Sequence, residues 1–99
     1  MNASIHYVRL TGRVTVTLIF NLKRDKWIII NDGTSGCIRG ILNQSGAEEK
    51  ERTHHNFWIG RRDYEMVIDP SEDGKTWETF SFFDVKKQNY IQDASGVIA

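Results

Sequence analysis

One cysteine, one proline, no long apolar run and no net charge: the sequence is short of several things, and each shortage removes a class of protein. Cys37 alone cannot close an intrachain disulfide, so the fold must rest on packing, which suits a reducing compartment. Pro70 is the only proline, and no low-complexity segment or internal repeat is present. No apolar run is long enough to span a bilayer. The first seven residues lack the basic stretch and apolar run of a signal peptide, so the chain reads as soluble and cytoplasmic. Thirteen Lys and Arg balance thirteen Asp and Glu, so no bulk field draws the chain to nucleic acid or to an anionic membrane. The same balance removes repulsion between copies and favours self-association.

What is present is enough for one core. Ninety-nine residues make a single domain over 1–99, with 39% apolar and 11% aromatic residues. A chain of this size has a net stability on the order of 5–10 kcal/mol, so large aromatic side chains matter individually. The clearest stretch runs from Tyr64 to Val85. Tyr64, Met66 and Ile68 alternate with Glu65, Val67 and Asp69, the period of a two-faced strand. The segment 69–74 (Asp-Pro-Ser-Glu-Asp-Gly) breaks it with turn residues. Trp77, Thr79, Ser81, Phe83 and Val85 then share one face, with Glu78, Phe80, Phe82 and Asp84 on the other. The two runs form a hairpin.

Further strands precede it. His6, Val8 and Leu10 share one side of a first strand, interrupted at Gly12. Val14, Val16, Leu18 and Phe20 point inward from a second, whose β-branched residues disfavour helix. Trp27-Ile28-Ile29-Ile30 is continuous, which predicts a strand covered on both sides. Asp32-Gly33 is a strong hairpin signal, and Cys37 to Leu42 returns as the partner strand, with Gly40 marking a bulge or a close backbone approach. Residues 43–56 hold one apolar residue, Ala47, and read as a polar mobile loop. Phe57-Trp58-Ile59 is a short strand ending at Gly60. Val97 and Ile98 form an apolar tail that docks or meets another copy. The pattern predicts an all-β domain, a small antiparallel β-sandwich of six to eight short strands, with an OB-like closed barrel as the alternative.

Two local resemblances accompany this reading. The pattern Tyr64-x-x-Val67-x-x-x-Ser71-x-Asp73-Gly74-Lys75-Thr76-Trp77-Glu78, 15 of the 99 residues, resembles the hairpin turn of discoidin-type and related galactose-binding-like carbohydrate modules. It is also similar to the Asp-box turn of sialidase propellers, with one residue fewer between Asp73 and Gly74. In those families the turn is structural, so the resemblance implies a hairpin and carries no sugar-binding residue. Trp27 through Ile38 is similar to the second and third strands of OB-fold proteins, which implies single-stranded nucleic acid as an alternative partner.

Several constellations are candidates for chemistry. Asp69, Ser71 and Asp73 place oxygens at alternate positions before Gly74, as calcium loops do, but the twelfth position is Phe80 rather than a bidentate Glu. His54 and His55 point opposite ways on an extended chain and lack metal-ligand spacing. Cys37, among strand residues, reads as a small buried hydrophobe rather than a nucleophile. The reading implies no metal, no cofactor and no enzyme. The candidate ligand contacts are Trp58, Arg61, Arg62 and Trp77, flat rings and directional donors set close together. The expected function is a non-catalytic binding module for carbohydrate or a protein surface. Self-association is expected through a free strand edge or the Val97-Ile98 tail, and a structural subunit of a homo-oligomer is the further alternative.

Overall fold

In the computed structural model, which describes residues 3–31, 36–42 and 49–98, every regular element is a strand. The strands are β1 (Ala3–Thr11), β2 (Val14–Asn21), β3 (Lys26–Asn31), β4 (Cys37–Ile41), β5 (Thr53–Ile59), β6 (Arg62–Pro70), β7 (Trp77–Asp84), β8 (Asn89–Tyr90) and β9 (Gly96–Val97). Seven have five residues or more, and β8 and β9 are two-residue additions to the edge of β7. They form two antiparallel sheets, β1-β2-β3-β4 and β5-β6-β7-β8, with β9 also on β7. No ladder joins the sheets among the described residues, so the architecture is an open sandwich and not the OB-like closed barrel.

Alternation builds the core. Val8, Leu10, Val16, Leu18, Phe20, Trp27 and Ile29 point inward from the first sheet, and Phe57, Tyr64, Met66, Ile68, Phe80 and Phe82 from the second. Burying each such side chain is worth ~1.5–3 kcal/mol, which suits a thin two-layer core. The β6–β7 hairpin has the expected pairing, with Met66 opposite Phe82.

Four local expectations are corrected. First, Trp27 and Ile29 are buried while Ile28 is half-buried and Ile30 is exposed, so β3 is covered on one side only. Second, Trp77 does not share the face of Thr79, Ser81 and Phe83. Asp69 pairs with Thr79 and Pro70 with Trp77, a register shift that leaves Glu78 as an extra residue. This bulge turns the Trp77 ring inward beside Phe80. Third, β5 begins at Thr53, inside the polar stretch 43–56. Thr53 and His55 continue the inward row of Phe57 and Ile59, a period hidden because neither counts as apolar. Residues 43–48 lie outside the described residues, as does the Asp32-Gly33 turn, although β3 and β4 on either side of that turn do pair. Fourth, Cys37 is exposed rather than buried.

Gly40 is a close approach, as its place in the strand predicts. It pairs with Trp27, and a Cβ there would lie 2.6 Å from the indole Cζ2. The ring fills the space a side chain would need. Gly40→Ala is therefore expected to cost about 1–3 kcal/mol in urea-unfolding free energy, as other overpacked core sites do. Gly12→Ala, where no atom lies within 4 Å of the added carbon, should cost far less and serves as the control.

Candidate functional site

Two turns at one end of the second sheet bring four cations together. The β5–β6 connection is the two-residue loop Gly60-Arg61, with Gly60 at φ 62° and Arg61 at negative φ, the pattern of a hairpin turn that needs glycine first. The β7–β8 connection closes on itself. Gln88, at φ 56°, donates its N–H to the Asp84 carbonyl, and Lys87 N–H donates to Asp84 Oδ1 at 3.1 Å. Val85 N–H donates to the Asp63 carbonyl, which fixes the second turn against β6.

The result is a cavity of about 630 Å³ lined by Arg61, Arg62, Asp63, Asp84, Val85, Lys86 and Lys87. None of the four cations has an ion-pair partner among the described residues. The Asp84 side chain is buried and already accepts from the Lys87 amide, so it offsets the positive charge only in part. Lys86 and Lys87 were not legible as site residues, because they read in sequence as a polar link and only the turn geometry brings them to Arg61.

The tryptophans part company. Trp58 is 66% exposed, opposite Asp63 in the β5–β6 ladder. It lines a neighbouring cleft of about 210 Å³ with Ile29, Asn31, Gly36, Cys37, Ile38, Ile59 and Gly60. The cleft and the basic cavity therefore meet at the Gly60-Arg61 bond. Trp77 is 5% exposed, and its Nε1–H donates to Asp25 Oδ1 at 3.1 Å. It fastens the second sheet to the β2–β3 turn and offers no face to a ligand.

The other candidates are occupied locally. Asp73 accepts from the Ser71 hydroxyl at 2.6 Å and the Lys75 amide at 3.0 Å, and these bonds hold its carboxyl below the usual range. Asp69 accepts instead from Arg52 Nε at 2.6 Å. Among the described residues, no group of three His, Cys, Asp or Glu side chains is placed to hold a metal ion. His54 pairs with Glu65, and His55 packs on the Trp27 ring.

Ser4 and His6 lie 2.6 Å apart, a spacing that invites comparison with a nucleophile and its base. The Ser4 hydroxyl, however, donates to the Ile98 carbonyl, which leaves His6 Nε2 as the donor toward Ser4 and toward Ile98 O at 3.2 Å. A nitrogen that carries the proton cannot accept one, and the pair instead ties the C-terminal segment to β1. Among the described residues, no helix is long and apolar enough to cross a membrane.

Comparison with family models, with curated proteins and with solved structures finds no match to this chain.

Burial, aided by the neighbouring His54, holds the His55 imidazole below its ordinary value. Above about pH 6.5 the ring is neutral in folded and unfolded chains alike, and it adds no pH dependence. As pH falls through that value the unfolded chain takes the proton first, so stability drops until the folded-state pKa is reached. Histidine NMR titration should show His55 protonating below the free value, and His55→Gln should flatten the fall in urea midpoint between about pH 7.5 and 5.5.

Proposed function

We propose that the chain is a non-catalytic binding module whose ligand is an acidic oligosaccharide, held at the basic end of the second sheet. The observation that carries this reading is the set of four cations, Arg61, Arg62, Lys86 and Lys87, around one cavity, with no ion-pair partner among the described residues. Guanidinium forks give directional, charge-assisted bonds to sulfate or carboxylate oxygens, and such bonds are roughly twice as strong as neutral ones. Asp63 and Asp84 line the same cavity, and their oxygens are acceptors for sugar hydroxyls. A ligand with one acidic group would fill the cavity alone. A chain of sugars would cross Gly60 and lay a ring face on Trp58, the usual partner of a pyranose.

A phosphodiester chain fits less well. Trp58 is a single ring, where single-strand binders use a succession of stacking platforms. The open sandwich also removes the barrel surface on which the nucleic-acid alternative depended.

Calorimetric titration with a heparin-derived hexasaccharide tests the proposal. Binding should weaken as salt rises, and a neutral cellohexaose should not bind at the basic cavity. Arg61→Ala and Arg62→Ala should each weaken binding about tenfold, equivalent to about 1.4 kcal/mol. Trp58→Ala should weaken the hexasaccharide more than a heparin-derived disaccharide. Equal or tighter binding of an oligothymidylate of the same charge would replace this reading with the nucleic-acid one, and no binding to either would end both.

A further inference from the structure

The face that covers neither core nor site lies on the other sheet. Strand pairing aligns Ile5, Ile19 and Ile28 in one row across β1, β2 and β3, and Tyr7, Thr17 and Ile30 in the next. All point away from the core. Ile5 is 52% exposed, Tyr7 81%, Ile30 37% and Ile41 44%. A groove of about 570 Å³ runs beside them, lined by Ile19, Ile28 and Ile41 with Lys26 and Arg39. Contiguous apolar surface of this kind on a soluble domain marks a site of association. The four strands contain no Asp or Glu, and Arg9, Lys26 and Arg39 face outward with the isoleucines.

The neutral total hides a separation of charge. The residues before Asn43 carry six Lys and Arg against two Asp, while those from Asn43 onward carry seven against eleven Asp and Glu. The first sheet is thus basic and the second acidic. The outer face of the second sheet is apolar in its own way: Tyr90 is 55% exposed and packs edge-on against Phe83, and Val97 is 61% exposed. Asp63, Glu65 and Asp69 lie on that same face.

We infer that the outer face of the first sheet docks on the outer face of the second sheet of another copy, giving head-to-tail association. Two copies of the first sheet placed face to face would set Lys26 and Arg39 against their own kind. Placed on the second sheet, the same cations meet a row of three carboxylates, Asp63, Glu65 and Asp69, of which Glu65 also bonds His54 and Asp69 also bonds Arg52 within the chain, while the isoleucines cover Tyr90 and Val97. The molecule measures 37 × 27 × 22 Å. Its largest projection is at most on the order of 1,000 Å², which leaves room for the roughly 800 Å² per partner of a stable interface. Such an interface is heterologous. It leaves each end of the stack open and generates rings or filaments rather than a closed dimer. It uses none of the four cations of the basic cavity, but Asp63 and Trp58 share the outer face of the second sheet with it, so oligosaccharide binding measured on the first-sheet variant Ile30→Glu keeps the two readings distinguishable.

Light scattering over a concentration series, up to the order of millimolar, reads the outcome. The mean mass should rise continuously with concentration and fall on adding salt. Ile30→Glu should block the first face and Tyr90→Lys the second, each giving a monomer. Mixing the two variants should restore a one-to-one dimer that grows no further, because each still carries one intact face. Val97→Lys serves in place of Tyr90→Lys if circular dichroism shows that variant unfolded. A monomer at every concentration would overturn the inference. So would self-association that survives in both second-face variants, which would indicate pairing of first sheets, or a mixture that stays monomeric.

Discussion

A chain of ring contacts through the core holds the two layers together. Phe57 stacks on Tyr64 at 5.5 Å and meets Phe82 edge-on at 5.8 Å. Phe82 contacts Phe80, and Phe80 reaches across the sandwich to Phe20 and to the His6 ring at 4.8 Å. Neither sheet could exist alone, since each buries its apolar face only on the other. The His6 end of this chain also organises the C-terminus. Ser4 and His6 both bond the Ile98 carbonyl, and Ile98 N–H bonds Glu78 O, so the last described residue bridges the two sheets.

A second tie runs through one turn. Asp25 accepts the Leu42 amide on its carbonyl and the Trp77 indole on its carboxylate, joining the β2–β3 turn, the exit of β4 and the start of β7. Lys50 lies over the indole, with its ammonium 5.9 Å from the Trp77 ring centroid. The acidic turn beside it is bound inward: Gly74 O accepts the Lys50 amide, and Ser71 and Thr76 close the loop on themselves. The turn that most resembled a ligand loop thus spends these polar groups on bonds within the chain. The exposed chemistry lies at the opposite kind of feature, two tight turns whose own bonds use backbone and leave the side chains of Arg61, Arg62, Lys86 and Lys87 to solvent.

Where strands alternate without interruption, the sequence was sufficient. Val14 to Phe20 and Tyr64 to Ile68 show their inward faces directly. Gly40 marked a bulge or a close approach, and the second is what the Trp27 ring makes there. The failures have physical causes. Trp27 to Ile30 reads as doubly buried because apolar residues on an exposed sheet face look the same in sequence as apolar residues in a core. Thr53 and His55 were lost because an inward polar residue breaks a count of hydrophobics without breaking the strand. Trp77 was misplaced because a bulge is invisible to a strict period of two. For the site, Arg61 and Arg62 were legible as a pair, while their union with Lys86 and Lys87 depends on two turns some twenty-five residues apart in sequence meeting in space.

The bulge at Glu78 also settles an ambiguity that alternation leaves open. Sliding β7 past β6 by two residues would keep every side chain on its own face, so a regular hairpin tolerates the mistake. With one surplus residue near the bend, only one alignment seats Phe80, Phe82 and the Trp77 indole under cover together. A misaligned hairpin would strand the indole away from Asp25 and leave the other layer without its anchor. The irregularity thus acts as a proofreading device, penalising near-miss pairings as the sheets close on each other.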